Sequence, residues 1–241
     1  MPAFSSVGRR GYLELPLRRL QALGPLSGEE EAAVRGLPSA RAKLSKGEEM
    51  IGSGDGLHFL LDGWGCQVRE LAGRRQIFAF VLPGDSIGRL PQDPSQETAF
   101  NYKALTPVTL IDASALWADL GDGAPRYSGI QAAVASFRGR ARSRLFDHIV
   151  RLGARMAYES MAHLLLELHD RQTEVGLAQD GRFAFPIGQE RLGEMLGLSS
   201  MHVHRTLARL KQDGHLLVGP GWLALPRWHE LARAVDYTLT A

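Results

Sequence analysis

The side chains of this chain best suited to recognition chemistry crowd into residues 200–211, where His202, His204, Arg205, Arg209 and Lys211 follow Ser200 and Met201 on one helical pattern. The planar fork of Arg205 presents paired donors that match O6 and N7 of a guanine edge, whereas Met201 offers only apolar contact, for instance with a thymine methyl. Arg209 and Lys211 suit phosphate oxygens, and His202 and His204 suit either base or phosphate. Each also has an ordinary reading as a solvated surface residue. His202 and His204, two apart on a helix, point in different directions and do not form a shared metal site.

The flanking residues say what must hold this helix. Residues 185–218 read FPIGQERLGEMLGLSSMHVHRTLARLKQDGHLLV, two helical patterns with a very short turn between them. Ile187, Leu192, Met195 and Leu196 face inward from the first pattern. Gly197 can take the left-handed conformation that reverses the chain, Leu198 can plug the angle, and Ser199 or Ser200 can cap the next helix. That helix buries Val203, Leu207 and Leu210. Such a pair is a helix-turn-helix, whose second helix offers its first turns to the DNA major groove. Lys211-Gln212-Asp213-Gly214 ends the helix, and His215–Val218 and Trp222–Leu225 around Gly219-Pro220-Gly221 form a two-stranded wing. Glu190 and Glu194 mark a solvated face, not acid–base chemistry.

Upstream, residues 11–45 read as short helical or irregular segments. From Lys46 onward, glycines at 47, 52, 54, 56, 63, 65, 73, 84 and 88 separate short apolar runs, Leu57–Leu61, Gln76–Leu82 and Val108–Ile111. Short strands joined by glycine-rich turns predict an antiparallel roll or barrel, with a hairpin corner at Gly73 and a turn at Pro83-Gly84-Asp85. Past Gly121–Pro125 the texture turns helical. Ile130, Val134, Phe137, Ala141, Leu145 and Ile149, followed by Leu152, recur at spacings of three and four and give one apolar stripe. A parallel partner helix would cover that stripe and make a homodimer; packing on the chain's own roll is the alternative. Arg138, Arg140, Arg142 and Arg144 are spread round the axis and read as surface. A further helix from Ala154 to Leu168 carries Met156, Met161, Leu164, Leu165 and Leu168 as core. The expected organisation is a β-roll sensor domain over 1–121, a dimerisation helix and hinge over 122–152, and a winged helix-turn-helix domain over 153–241.

Bulk properties bound these readings. The 241 residues are 44% apolar and 22% charged, as in a folded globular chain, and the formal net charge is only +2. Residues 1–121 hold 13 basic and 14 acidic side chains, residues 122–241 hold 15 and 12, so any positive patch lies in the second part. No apolar run reaches membrane-spanning length and Met1–Arg19 lacks a signal peptide's core, which points to the cytoplasm and no membrane partner. A single cysteine, Cys66, permits no intrachain disulfide and no thiolate cluster.

Over about Leu20 to Leu225 the chain resembles the bacterial regulators that include the cyclic-AMP receptor protein and FNR, the Crp/Fnr family. The roll motif is Lys46-Gly47-Glu48, Gly63, Gly73, Pro83-Gly84-Asp85 and Gly88. The second motif is Leu192-Gly193-x-x-Leu196-Gly197-Leu198, Val203-x-Arg205-x-Leu207-x-x-Leu210 and Gly214. The resemblance implies an α+β fold: a cyclic-nucleotide-binding-like antiparallel β-roll, a long dimerisation helix and a winged helix-turn-helix. It implies a transcriptional regulator, not an enzyme, that binds a palindrome in double-stranded DNA as a homodimer, with RNA polymerase as a further partner and an unidentified small-molecule effector at the roll.

The departures matter equally. Cyclic-nucleotide binders follow the roll's glycine with a Glu for the ribose and later present Arg-Ser to the phosphate; here Arg89 follows Gly88, and the later segment runs Thr98-Ala99-Phe100. Without that arginine a cyclic phosphate loses its charge partner, so no cyclic nucleotide is expected, although Arg89, Thr98 and Ala99 mark where another effector would bind. One cysteine cannot hold an iron–sulfur cluster. No cofactor is expected; haem is the alternative, through His58 or Cys66, and a redox role for Cys66 would need an exposed thiol of lowered pKa. Met201 stands where the cyclic-AMP receptor protein has a Glu, so altered bases are expected. Two other classes compete. A cupin-like metal enzyme would gather several histidines inside the roll, whereas residues 46–121 contain only His58. A sensor whose helical domain mediates protein contacts would not need a positive second helix.

Overall fold

The computed structural model describes residues 11, 13–38, 40–50, 56–88, 100–121 and 125–238. It divides into two compact units, one of residues 1–67 and 80–140, the other of residues 68–79 and 141–241.

The first unit holds the β-roll apart from the tip of one hairpin, residues 68–79, which belongs to the second. Helices α1 (Glu14–Gln21) and α2 (Gly28–Arg35) lead into strands β1 (Arg41–Leu44), β2 (His58–Asp62), β3 (Gly65–Leu71), β4 (Arg74–Val81), β5 (Ser86–Ile87), β6 (Asn101–Ala104) and β7 (Val108–Asp112). One antiparallel sheet runs β1-β7-β2-β5 and the other β4-β3-β6. Alternate residues of one strand serve opposite faces. Phe59 and Leu61 of β2 and Ile111 of β7 pack with Leu17, Leu20, Val34 and Ile130 from the helices, while Leu60, Val108 and Leu110 join Met50, Val81 and Ile87. Burial on both faces explains why these strands read as unbroken apolar runs. The predicted hairpin corner is present between β3 and β4, where Ala72 and Gly73 both take positive φ, 44° and 79°.

Helix α3 (Ser114–Gly121) and the long helix α4 (Ser128–Gly153, 26 residues) follow. The start of α4 is pinned inside the roll unit. Glu30 closes a capping box with Ser27, and its Oε1 accepts from the Ile130 amide at 2.9 Å. A Cβ at Gly129 would lie 2.6 Å from both Glu30 and the Pro25 carbonyl, so only glycine admits this approach.

The second unit is built round α5 (Ala157–Glu174), every residue of which from Ser160 to Gln172 is buried. It runs six residues beyond the expected Leu168, and Met156, expected in the core, instead stands exposed at its N-cap. The buried charges are paired: Glu167 lies 2.5 Å from Arg151 and 3.4 Å from Arg171. Burial alone would raise the Glu167 carboxyl, but the two guanidiniums overcome that and hold it below the usual range. Strands β8 (Ala178–Gln179) and β9 (Arg182–Ala184), helices α6 (Gln189–Leu196) and α7 (Ser200–Gln212), strands β10 (Leu217–Gly219) and β11 (Trp222–Ala224), and helix α8 (Trp228–Ala234) complete it. The wing is larger than two strands, because β11 also pairs with β9 in a sheet ordered β10-β11-β9-β8. No helix among the described residues is long and apolar enough to cross a membrane.

Candidate nucleic-acid interface

Helices α6 and α7 form the expected helix-turn-helix. Gly197 terminates α6 in the left-handed region at φ 65°, ψ 26°, and Leu198 N–H returns to the Gly193 carbonyl at 3.1 Å. Gly193 is equally constrained: a Cβ there would stand 2.6 Å from the Leu198 oxygen. Of the two candidate caps it is Ser199 that serves, its Oγ accepting from the His202 amide at 3.3 Å and lying 3.0 Å from His202 Nδ1.

The inner face of α7 is Val203, Thr206 and Leu210. Leu207, expected to be fully buried, is only half-buried and lines a space beside the wing. Ser200, Met201, His202, His204, Arg205, Arg209 and Lys211 are all exposed, so every proposed contact residue stands on the outer face. Met201 is 63% exposed, and Arg205 Nη2 reaches its Sδ at 2.7 Å one turn back, which lays the guanidinium along the N-terminal half of the helix.

Arg209 is arranged differently. Its guanidinium lies 4.9 Å from the centroid of the Tyr158 ring on α5 and 3.9 Å from Asp213. Burial and the neighbouring Asp213 push the Tyr158 hydroxyl up to about 12, so it stays protonated. At the end of the helix Arg227 donates to the Asp213 carbonyl and, at 3.3 Å, to that of Gly214, whose φ is +71°. On the wing sheet the Arg182 guanidinium stacks 3.9 Å over the Trp222 ring. Tyr158, Arg182 and Arg227 carried no motif signal in the sequence, because their partners lie on other elements.

A further support comes from far away in the chain. The tip of the β3–β4 hairpin, residues 68–79, belongs to this same unit. Gln76 Nε2 donates to the Glu194 carbonyl at 2.9 Å and approaches that of Met195 at 3.5 Å, serving the carbonyls that the end of α6 leaves without helical partners. Arg75 is 4.0 Å from the Glu194 carboxylate, which Arg191 grips through both oxygens at 2.5 and 2.6 Å.

The remaining candidates fall as follows. Ile130, placed on the dimerisation stripe, is 2% exposed in the core of its own roll unit, and Val134 is packed against that core, so the N-terminal end of the stripe is already covered. Phe137 is half-buried. Beyond it Ala141, Leu145, Ile149 and Leu152 are exposed at spacings of four, four and three, beside Phe146 and Val150; Phe146 and Ile149 are 61% and 57% exposed. Arg89, Thr98 and Ala99 lie outside the described residues. His58 sits with Nδ1 3.0 Å from the Gly56 carbonyl, and Cys66 is buried. Among the described residues no group of three or more His, Cys, Asp or Glu side chains is arranged to hold a metal ion.

Comparison with known proteins agrees with this architecture. Residues 159–234 match the Crp-like helix-turn-helix domain family. The nitrogen fixation regulation protein FixK of Bradyrhizobium diazoefficiens is 29% identical over 153 residues, 64% of this chain and 62% of the relative. The transcriptional activatory protein AadR of Rhodopseudomonas palustris is 26% identical over 168 residues, 69% of this chain and 67% of the relative. The matched segment thus spans less than two thirds of the length of FixK. Among solved structures, FixK2 from Bradyrhizobium japonicum superposes with a TM-score of 0.66 at 27% identity, covering 80% of this chain and 96% of that one. A CooA mutant from Carboxydothermus hydrogenoformans shares the fold, with a TM-score of 0.61 at 17% identity over 81% of this chain and 87% of its own. With a β-roll, a long connecting helix and a winged helix-turn-helix in that order, the chain is thus similar, beyond its Crp-like helix-turn-helix domain, to bacterial regulators of the FixK type.

Proposed function

We propose that the protein is a cytoplasmic, sequence-specific DNA-binding transcriptional regulator that reads a palindromic site as a homodimer. The observation that carries this reading is the two-sided character of α7. Its inner side is locked by Val203, Thr206 and Leu210, and its outer side presents Met201, His202, His204, Arg205 and Lys211 with no acidic residue in the helix. Arg205 reads a base edge, Met201 makes apolar contact beside it, and His202, His204 and Lys211 contact phosphates or bases. Arg209, stacked on Tyr158, positions the helix and takes a phosphate only from its outer edge.

Two chains pair through the exposed row Ala141, Leu145, Ile149 and Leu152, with Phe146 and Val150 flanking it, placing two α7 helices in successive major grooves. The relatives named for regulation and transcriptional activation support this reading. An effector without a cyclic phosphate acts at the roll around Arg89, Thr98 and Ala99, and RNA polymerase is the partner through which transcription changes. The reading needs neither a cofactor nor catalysis.

Selection from a random double-stranded DNA library by the purified chain, without added ligand at near-physiological salt, is the test. A recovered palindrome with half-sites about 10 base pairs apart supports a dimer competent on its own. An unenriched pool, with the chain dimeric and folded, counts against DNA reading in the ligand-free state and favours the reading in which the helical domain contacts protein.

A further inference from the structure

Beside α7 lies a cleft whose apolar walls take no part in the proposed DNA reading by the outer face of that helix. It is a space of about 500 Å³ between the start of α6, the flank of α7 and the wing. Its walls are apolar: Leu192 and Phe185 at the α6 end, Leu207 and Ala208 from α7, Val218 and Leu223 from β10 and β11. Leu207 is only half-buried and Val218 is exposed, so both keep apolar surface that a ligand in the cleft would cover. Lys211 and His204, about two turns apart on α7, and Gln189 supply polar groups to its lining; no carboxylate is among the residues lining the cleft.

We propose that this cleft binds a flat organic anion, an aromatic carboxylate in the size range of two fused rings. The rings lie between Leu207 and the wing, and the carboxylate sits at Lys211 and His204. Three properties select this chemistry. A volume of a few hundred cubic ångströms with a mainly apolar lining is that of a small-molecule site. Phe185 stands among the apolar lining residues, and a ring there favours an aromatic body. The charge at the mouth is of one sign, which favours an anion over a neutral or cationic ligand of the same shape.

The consequence follows from position. His204 and Lys211 are also proposed to face DNA, so the anion and DNA compete for them, and the ligand lowers DNA affinity from within the reading head. This regulatory consequence rests on the proposed DNA reading; the binding site itself does not.

The test uses the full-length, ¹⁵N-labelled chain with 2-naphthoate and 2-naphthalenemethanol as probes. Expected are saturable amide shifts confined to residues 185–192, 204–211 and 218–223, with naphthoate bound about 5-fold more tightly than the alcohol, the most that an exposed charge pair provides. Lys211→Gln, an exposed change that leaves the fold undisturbed, should abolish that preference, and Ala208→Phe, which fills the slot from the helix, should abolish binding of both. Shifts that do not saturate at millimolar probe, or saturate elsewhere, overturn the site. Equal binding of acid and alcohol overturns the anion assignment. Fluorescence anisotropy with the selected DNA separates the two ideas. Saturable anion binding with no competition removes the regulatory step, and DNA recognition without anion binding removes the cleft while leaving the proposed function standing.

Discussion

Arg209 stacks on Tyr158 with 4.9 Å between guanidinium and ring centroid, while Arg205, one turn earlier on the same helix, reaches back to Met201. Two arginines of similar exposure therefore do different work. Arg205→Ala should relax the base preference at one position in each half-site, costing about 1–3 kcal/mol for the preferred base. Arg209→Ala should lower affinity for all sequences alike and reduce unfolding stability by about 0.5–1 kcal/mol, the size of an exposed cation–π contact. Repeating the library selection and a urea titration on both variants distinguishes the two patterns.

The turn between α6 and α7 has two glycines that are necessary for different reasons. Gly193→Ala would force a methyl group to within 2.6 Å of the Leu198 oxygen, and the helices must move apart, costing about 1–3 kcal/mol. Gly197→Ala meets only the end of the Leu152 side chain at 3.4 Å but must hold φ at +65°, costing about 1 kcal/mol. Equilibrium unfolding should rank Gly193→Ala as the more damaging.

Pairing through the exposed half of α4 is tested by Ile149→Glu. A carboxylate in that apolar row should raise the dimer dissociation constant roughly 100-fold or more, since each chain of the pair would bury one. Light scattering at micromolar concentration should then give the monomer mass. Ile130→Glu should instead damage folding of the roll, because Ile130 is buried there.

Two histidines make the second unit acid-sensitive. His148 and His163 are both nearly fully buried, and burial followed by repulsion from Arg151 lowers each from 6.5 to about 4. Both are neutral in the fold at pH 7, whereas the unfolded chain begins to bind protons near 6.5. Their contribution is therefore complete above 6.5 and is lost as pH falls from there towards 4. Roughly 2 kcal/mol per histidine should disappear between pH 6.5 and about pH 5. Urea unfolding at a series of pH values checks this, and a His148→Leu, His163→Phe double variant should flatten the curve over that window.

What could be read from the sequence was whatever is local in the chain. Gly197, Ser199 and the Val203–Leu210 period lie within a dozen residues, and backbone geometry connects them directly. The period alone could not choose between Thr206 and Leu207 for burial, since both sit near the inner stripe; the tertiary fold buries Thr206 and leaves Leu207 half-buried. The α4 stripe was read correctly as apolar but changes its role along its length, covered by the roll at Ile130 and exposed at Ile149, and a helical period cannot show where one cover stops. The β8–β9 extension of the wing and the grips of Arg227 and Gln76 were invisible for the same reason. Each joins segments whose closeness exists only after folding.

Gln76 gives this architecture a property that a simple string of domains would lack. Its amide completes the end of α6 from 118 residues upstream, so the reading head is assembled from two separate stretches of chain. A fragment beginning at residue 141 would contain the whole of the matched helix-turn-helix region, yet its α6 would end on carbonyls that only solvent could serve. The helix-turn-helix is thus not a freely transplantable cassette. Grafting it onto another sensor without the twelve-residue β3–β4 tip would forfeit that hydrogen bond, worth about 1 kcal/mol.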